Sequence, residues 1–150
     1  MALFGHVANG AIGLSPLGGI VEEEWRKTAD RRSYLALDIH VVMPNHFHAL
    51  FTILRDTDAR GDVARNAGPT GHLTGPAAES VGAIVRAFKS AVSCRARLEL
   101  SSRGPIWQRN YFEHIIHTAR QFGNAHDYIV RNPENWEIDH YNAERRAREK

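Results

Sequence analysis

Two histidines separated by one phenylalanine, His46 and His48, are the residues of this sequence best suited to chemistry. Residues two apart in a β-strand point to the same face of the sheet, so these imidazoles would project side by side. At that spacing they can share one metal ion and leave positions for a third protein ligand and a substrate oxygen. Surface or hydrogen-bonded histidines give the same spacing, so the pair alone does not establish a metal site.

A tyrosine and an asparagine four residues apart, Tyr128 and Asn132, form a second candidate cluster. This spacing stacks them on one side of a helix. The amide oxygen of Asn132, added to two imidazoles, favours Mg²⁺ or Mn²⁺ over zinc. Tyr128 would then lie beside a phosphate held by that ion, where a phenol can attack and form a phosphotyrosine. Taken singly, the two residues also fit structural roles, as a ring at the rim of the core and as the end of a helix.

Positive charge is concentrated between Arg86 and Arg109, where six basic residues face one acid and give a net charge of +5, against +2 for the whole chain. A local basic stripe of this kind suits a phosphate backbone. It equally fits a solvated helix face. The candidate phosphate contacts, which would position a nucleic acid backbone without recognising its sequence, are Arg86, Lys89, Arg95 and Arg109.

Tyr111 is a rival nucleophile, although an aromatic residue in a predicted strand is more typical of the core or of a stacking platform for a base. Trp107 fits core packing better than base stacking. His114 and His117 are three residues apart near the end of that strand, a spacing that places them on one face only if the chain turns there. We therefore interpret both as surface histidines.

The elements that would position these residues are indicated by turn, capping and periodicity signals. Asn9-Gly10 is typical of a two-residue hairpin turn, and Ser15-Pro16 of the start of a helix. Such signals predict strands over 3–7 and 11–14, a helix over 16–28, strands over 37–42 and 46–54, a helix over 80–98, a strand over 106–116 and a final helix from 118. This order indicates an α+β fold with an antiparallel sheet.

Two of these elements carry the candidate site. The strand after the Pro44-Asn45 turn alternates cleanly, so its histidines would occupy one face and its apolar side chains the other. Those apolar residues are Phe47, Ala49, Phe51 and Ile53. The final helix opens with a capping box, Thr118 and Gln121, and ends at or before Asn132 because Pro133 follows. Its apolar stripe is Phe122, Ala125 and Ile129.

The length and composition predict one domain, 1–150, with an exposed polar loop over 56–76 and a charged C-terminal tail over 137–150. An apolar fraction of 43% is that of an ordinary globular protein. The single cysteine, Cys94, excludes an internal disulfide. Because the sequence has no apolar run long enough to cross a bilayer and no signal-peptide pattern, we expect a cytoplasmic protein without a membrane partner.

Three blocks of this sequence resemble the REP-associated tyrosine transposases, relatives of the small single-tyrosine insertion-sequence transposases. The segment 41–48, Val-Val-Met-Pro-Asn-His-Phe-His, resembles their HUH motif. Trp107-Gln108-Arg109-Asn110-Tyr111 and Tyr128-Ile129-Val130-Arg131-Asn132-Pro133 match two further blocks in the same order. Similarity extends from Leu3 to Trp136, and three ordered blocks are far more specific than one.

The resemblance implies a ferredoxin-like fold and single-stranded DNA as the substrate, often a hairpin formed by a repeated palindromic element. Cleavage in that family leaves a 5′-phosphotyrosine and a free 3′-hydroxyl. By position, His46 and His48 would be ligands of a divalent metal, Asn132 the third ligand and Tyr128 the nucleophile. The family includes monomers and dimers that exchange the tyrosine helix, so either state is expected. A bacterial, nucleoid-associated location follows from the substrate.

Members of that family usually carry another strand ahead of the Leu-Phe-Gly block, whereas this chain has that block at Leu3-Phe4-Gly5. The resemblance therefore predicts either a truncated or mis-started copy, or a gap in the sheet that another segment or a partner chain covers. An unfilled place would leave a strand edge unpaired. Two other functions fit the same residues. One is a catalytically inactive or domesticated DNA-hairpin-binding protein. The other is a metal-dependent hydrolase with water as nucleophile, for which Tyr128 would be dispensable.

Overall fold

Three α-helices and two antiparallel β-hairpins form the fold in a computed structural model, which describes residues 2–54, 79–139 and 141–142. The elements are β1 (Gly5–Ala8), β2 (Ala11–Leu14), α1 (Pro16–Asp30), β3 (Leu35–Val42), β4 (Phe47–Ile53), α2 (Val81–Leu100), α3 (Ala119–Arg131) and a short 3₁₀ helix (Trp136–Ile138). The α+β prediction is confirmed. The predicted loop over 56–76 and most of the predicted tail over 137–150 lie outside the described residues.

The hairpin of β1 and β2 turns at the two residues that the sequence indicated. Asn9 and Gly10 both have positive φ, 53° and 72°, as a tight two-residue hairpin turn requires. The strands pair antiparallel with Gly5 opposite Leu14. The sequence therefore predicted this hairpin correctly, with β1 starting two residues later than expected.

Helix α1 is fixed at its start by Ser15. The Ser15 hydroxyl accepts a hydrogen bond from the Gly18 amide and donates one to the Leu3 carbonyl, at 3.0 and 2.7 Å, so it caps the helix and ties it to the N-terminal segment. Gly18 has a packing role, because a Cβ on this residue would overlap the carbonyl oxygen of Phe4. The helix continues to Asp30, slightly beyond the predicted end.

The second hairpin, β3 and β4, carries the predicted histidine pair. Val41 lies opposite His48 and Val42 opposite Phe47, with an irregularity in register between Leu37 and His40. The connecting turn is closed by a hydrogen bond of 2.9 Å from the Met43 amide to the His46 carbonyl. As predicted, the four alternate apolar residues of the second strand pack against the core.

The core lies between this hairpin and helices α1 and α2. The Trp25 ring is in edge contact with Phe47, Phe51 and Phe88, with centroid distances of 5.2, 5.5 and 5.2 Å. Helix α2 contributes its buried stripe of Ile84, Phe88, Val92 and Ala96. The helix that the sequence predicted over 80–98 is therefore confirmed, with Ser80 as its N-cap.

An ion-pair network joins α1 to α2 at the edge of this core. The Glu24 carboxylate is only 2% exposed and pairs with Arg95 at 3.0 Å, Lys27 at 3.2 Å and Arg31 at 3.3 Å. Burial alone would raise the pKa of Glu24. The hydrogen bonds from Lys27 and Arg95 and the nearby positive charges outweigh that effect, so the pKa of Glu24 lies below its ordinary value. The buried charge is thus compensated from three sides.

The strand predicted over 106–116 is wrong: residues 101–118 form neither helix nor strand. A strand needs a neighbour that takes up its backbone hydrogen bonds, and no described strand pairs with this segment. Side chains hold it instead. The Trp107 ring packs against Phe4 and Phe88, while Phe112 is 90% exposed. Strand-like composition here reflects single anchoring contacts and not sheet formation. None of the described helices is both long and apolar enough to span a membrane.

Candidate functional site

The two histidines lie side by side on the β4 hairpin, as the alternation predicted. His48 is in β4 and His46 lies just before it. Their ring centroids are 4.7 Å apart and the ring planes are inclined by 77°. Because Phe47 packs into the Trp25 core, the histidines occupy the opposite face of the hairpin. This face is the one that the third helix covers.

Helix α3 lies against β3 and β4 and begins at the predicted capping box. The Thr118 hydroxyl accepts from the Gln121 amide, and the Gln121 side-chain oxygen accepts from the Thr118 amide, both at 3.2 Å. The helix ends at Arg131, so Asn132 is its C-cap as expected. Two unrelated local signals thus fix both ends of the element that carries Tyr128.

The predicted apolar stripe of α3 is only partly correct. Ile129 is buried, but Phe122 is 39% exposed and stacks on His126 at the surface. Strands in a sheet are about 5 Å apart, so a two-stranded hairpin offers a narrow surface to a helix. Among the described residues of α3, burial is therefore confined to Ile129 near its C-terminal end.

Tyr128 contacts His48 directly. The ring centroids are 5.2 Å apart, with the planes at 78°, so one ring meets the other edge-on. The Tyr128 side chain is half exposed and lines a cavity of about 330 Å³, together with Asn132, Asn135, Ile138 and Asp139. The structure therefore brings the predicted nucleophile against one predicted metal ligand and beside another, at the edge of an open space.

Asn132 is 3% exposed, and its side-chain oxygen has no hydrogen-bond partner among the described residues. A buried amide oxygen left without a donor costs about 1–3 kcal/mol. Such an oxygen suits a hard divalent cation, and together with two imidazoles it gives the donor set of the predicted site. The described part of the chain contains no cluster of three His, Cys, Asp or Glu side chains able to hold a metal. Among the described residues, a third protein ligand beside the two histidines would therefore have to be another kind of group, such as the Asn132 amide.

Asn45, which the sequence indicated only as a turn residue, orients His46. Its side-chain amino group donates to the Tyr141 carbonyl at 2.6 Å, and a carbonyl can only accept. The Asn45 amide oxygen therefore faces the other way, toward His46 Nδ1 at 2.7 Å. Because that oxygen is only an acceptor, His46 Nδ1 must carry the proton. In the neutral ring Nε2 is then the nitrogen with the lone pair, the form that ligates metals.

The segment after α3 folds back over His46. The rings of Trp136 and Tyr141 lie 6.1 and 4.9 Å from the His46 ring, measured between centroids. The Asn142 side-chain amide donates to the Trp136 carbonyl at 3.1 Å and holds the segment together. Sequence reasoning placed Tyr141 in a charged tail and missed it. The available signal was an aromatic residue within an otherwise charged segment.

The predicted phosphate contacts separate into two groups. Arg86, Lys89 and Arg109 line one cavity of about 380 Å³, and Tyr128 is not part of its lining. Arg95 instead pairs with Glu99, Glu23 and Glu24 at 2.7, 2.8 and 3.0 Å. The hydrogen bonds that the Arg95 guanidinium donates to these carboxylates, chiefly Glu99, raise the pKa of Arg95. A phosphate contact at Arg95 remains a prediction, but its charge is already offset within the fold.

Tyr111, the rival nucleophile, lines the cavity of the basic residues and not that of Tyr128. Burial and the neighbouring Glu113 carboxylate raise the pKa of Tyr111, which makes this phenol harder to ionise and a poorer nucleophile. His114 and His117 are exposed, consistent with the surface interpretation. Of the two tyrosines in the candidate motifs, Tyr128 is therefore better placed for chemistry with the histidines.

A protein of Haemophilus influenzae, described only as uncharacterized, is 33% identical to this chain over 137 residues. The aligned region covers 91% of this chain and 76% of that protein. The chain belongs to the same family as that protein. No family model matches the sequence, and no solved structure is a significant match. The description of the relative names no activity, so function must be argued from the geometry.

Proposed function

We propose that this protein cleaves and rejoins single-stranded DNA, with Tyr128 as the nucleophile. The observation that carries the proposal is the edge-on contact between the Tyr128 and His48 rings, with Asn132 lining the same cavity as Tyr128. A tyrosine ring against one histidine of a pair, with a buried amide oxygen on the same cavity, is an arrangement suited to phosphoryl transfer. The resemblance of three ordered blocks to the REP-associated tyrosine transposases supports the same reaction.

The reaction balances without an external energy source. The Tyr128 oxygen attacks a backbone phosphorus, the bond from phosphorus to the 3′-oxygen breaks, and the phenolic proton is transferred overall to that oxygen. The products are a 5′-phosphotyrosine diester and a free 3′-hydroxyl. Attack of a 3′-hydroxyl on the diester reverses the step and joins strands, because the covalent bond keeps the energy of the broken one.

The residues of the site fit a divalent metal. His46, His48 and Asn132 would hold it, and the buried Asn132 oxygen, without a partner among the described residues, is the observation that favours this fit. When bound, Mg²⁺ or Mn²⁺ offsets the negative charge that develops on the phosphoryl oxygens. The contribution of Asn45 is to keep the proton on His46 Nδ1, so that in the neutral ring Nε2 carries the lone pair that can bind a metal.

The proposal includes the finer fold and substrate that the resemblance implies. The order of helices and antiparallel strands is compatible with a ferredoxin-like arrangement. On that reading the substrate is a hairpin-forming, repeated palindromic element, and Tyr128 acts on the single strand beside the hairpin. The separate cavity lined by Arg86, Lys89 and Arg109 would supply positive charge for the backbone.

A covalent-adduct assay tests this function. The purified chain is incubated with Mn²⁺ and 3′-labelled single-stranded oligonucleotides that tile the DNA flanking its own coding sequence, and the products are separated on a denaturing protein gel. We expect a labelled adduct with at least one tile, lost in Tyr128→Phe and with EDTA. Tyr111→Phe is the matched control and should form the adduct, because Tyr111 lies in the other cavity.

Three outcomes would contradict the proposal, and each indicates a different protein. An adduct that persists in Tyr128→Phe rejects this nucleophile. Metal-dependent cleavage without an adduct indicates a hydrolase that activates water. Hairpin binding that needs neither metal nor the Tyr128 hydroxyl, with no cleavage of any tile, indicates a non-catalytic DNA-binding protein.

A further inference from the structure

A groove separate from the Tyr128 cavity runs between helix α2 and the irregular segment that follows it. Its volume is about 380 Å³. The helix supplies residues three, four and seven positions apart, which lie on one side of α2, and the segment supplies Arg109 and Tyr111. The lining residues are Gly82, Val85, Arg86, Lys89, Arg109 and Tyr111. This set contains three cations, one aromatic ring and no acid.

Lys89 fixes the shape of this groove. Its ammonium group donates to the carbonyls of Gln108 and Asn110 at 3.2 and 3.3 Å, and the Trp107 indole donates to the Lys89 carbonyl at 3.1 Å. These bonds attach the segment to α2 without any sheet pairing. The Lys89 nitrogen also lies 5.6 Å from the Trp107 ring and 5.9 Å from the Tyr111 ring, within cation–π range. The segment is therefore held in place before any ligand arrives.

Tyr111 offers a ring for stacking. Its side chain is 44% exposed at the groove, and Lys89 lies close to the ring. Burial and Glu113 raise the pKa of Tyr111, so the ring stays neutral at physiological pH. Glu113 acts on the Tyr111 phenol through its charge and a side-chain hydrogen bond, but it does not line the groove. Arg86 and Arg109 are exposed, so both guanidinium groups are accessible to a phosphate.

We propose that this groove binds an unpaired segment of nucleic acid, with a base stacked on Tyr111 and the flanking phosphates paired with Arg86 and Arg109. An exposed aromatic ring next to a basic groove is the combination by which single strands are bound without strong sequence preference. A duplex does not fit this chemistry, since its bases are already stacked on one another. The inference deepens the proposed function and rests on it for the identity of the substrate.

Binding is tested apart from cleavage by fluorescence anisotropy with a labelled fifteen-nucleotide oligo-dT strand, in EDTA. We expect Tyr111→Leu to weaken binding about 5- to 100-fold and Tyr111→Phe to retain it, because base–aromatic stacking needs the ring and not the hydroxyl. Phe112→Leu is the matched control: Phe112 is 90% exposed on the same segment but does not line the groove. Circular dichroism checks that each variant is folded.

The phosphate contacts of Arg86 and Arg109 are tested by the salt dependence of strand binding. Arg86→Gln and Arg109→Gln should each weaken binding and reduce the slope of log affinity against log salt by about 0.7, the value for one phosphate contact on a single strand. Arg97→Gln, at an exposed position of α2 outside the groove, should change neither quantity. A duplex of the same length should compete poorly.

The inference is overturned if wild type does not bind the strand, if Tyr111→Leu and Phe112→Leu behave alike, or if the duplex binds equally well. Failure of this groove and failure of the proposed cleavage are distinguishable. Strand binding that depends on Tyr111, without an adduct on any tile, would reject the cleavage alone. An adduct that forms equally well in the groove variants would reject the groove alone.

Discussion

The amide of Asn45 is held between the Tyr141 carbonyl and the Nδ1 atom of His46, at 2.6 and 2.7 Å. Because the Tyr141 carbonyl can only accept a hydrogen bond, it fixes the orientation of the Asn45 amide. The Asn45 oxygen then faces His46 Nδ1, which must carry the proton. One side chain thus connects the backbone near the C-terminal end of the described chain to the protonation pattern of a predicted metal ligand.

Replacing Asn45 should remove the preference of His46 for the Nδ1-protonated tautomer. In Asn45→Ala we expect a mixture of imidazole tautomers where wild type has the Nδ1-protonated form, seen in long-range ¹⁵N–¹H spectra of the histidine side chains. Mn²⁺ affinity should fall about 10- to 100-fold, the usual effect of losing such a supporting contact. Asn124→Ala, at an exposed position of α3, is the control. A wild-type His46 protonated on Nε2 would contradict the assignment.

Asn132→Leu should separate stability from metal binding. The substitution keeps the approximate volume and removes a buried oxygen without a partner among the described residues. In EDTA the melting temperature should therefore rise or stay the same, while the increase that Mn²⁺ gives to wild type should be lost. Asn135→Ala, which changes an exposed residue of the same cavity, should keep the metal-dependent increase. Equal stabilisation of Asn132→Leu by Mn²⁺ would remove Asn132 from the ligand set.

Glu24→Gln should destabilise the packing of α1 on α2 near neutral pH. The variant loses the charge that faces Lys27, Arg31 and Arg95, at a cost of about 1–3 kcal/mol. Thermal melts measure the loss. Glu99→Gln is the control and should change the melting temperature less, because Glu99 is exposed and water screens its pair with Arg95.

The same carboxylate makes stability depend on acid. The folded-state pKa of Glu24 lies below its ordinary value of 4.5, so the stabilising contribution is complete above about pH 4.5 and is lost as the pH falls through the lower, folded value. Melting temperatures between pH 6 and pH 3 should fall less steeply for Glu24→Gln than for wild type. Parallel curves would show that Glu24 does not contribute to the acid sensitivity.

Two adjacent glycines of α1 should respond in opposite directions to alanine. Gly18→Ala places a Cβ against the Phe4 carbonyl and should cost about 1–3 kcal/mol. Gly19→Ala meets no atom within 4 Å and should stabilise the helix by up to about 1 kcal/mol. Chemical denaturation of the pair measures both effects. Similar changes in both variants would mean that the N-terminal segment is not packed closely on α1.

Elements specified by a few neighbouring residues were predictable from the sequence. The Asn9-Gly10 turn, the Ser15 cap and the Thr118–Gln121 capping box each encode their geometry locally, and all three are present. The segment over 106–116 was not predictable in this way. Its β-branched and aromatic composition resembles a strand, but strand formation depends on a pairing partner elsewhere in the chain.

The same distinction between local patterns and long-range contacts applies to the residues of the candidate site. Alternation within β4 was enough to place His46 beside His48, and helical spacing was enough to put Asn132 next to Tyr128. No local pattern indicated that Asn45 would meet a carbonyl 96 residues later, or that Arg95 would be paired with acids from α1. Both depend on tertiary contacts between distant segments.

The contact between Asn45 and Tyr141 also has a consequence for the order in which the protein is made. The hairpin with both histidines is synthesised first, whereas Tyr128, Asn132 and the carbonyl that orients Asn45 are synthesised later. A nascent chain therefore holds the two imidazoles without the tyrosine, and without the contact that selects the tautomer of His46. On the proposed function, the polypeptide becomes competent to cut DNA only after translation has passed residue 141.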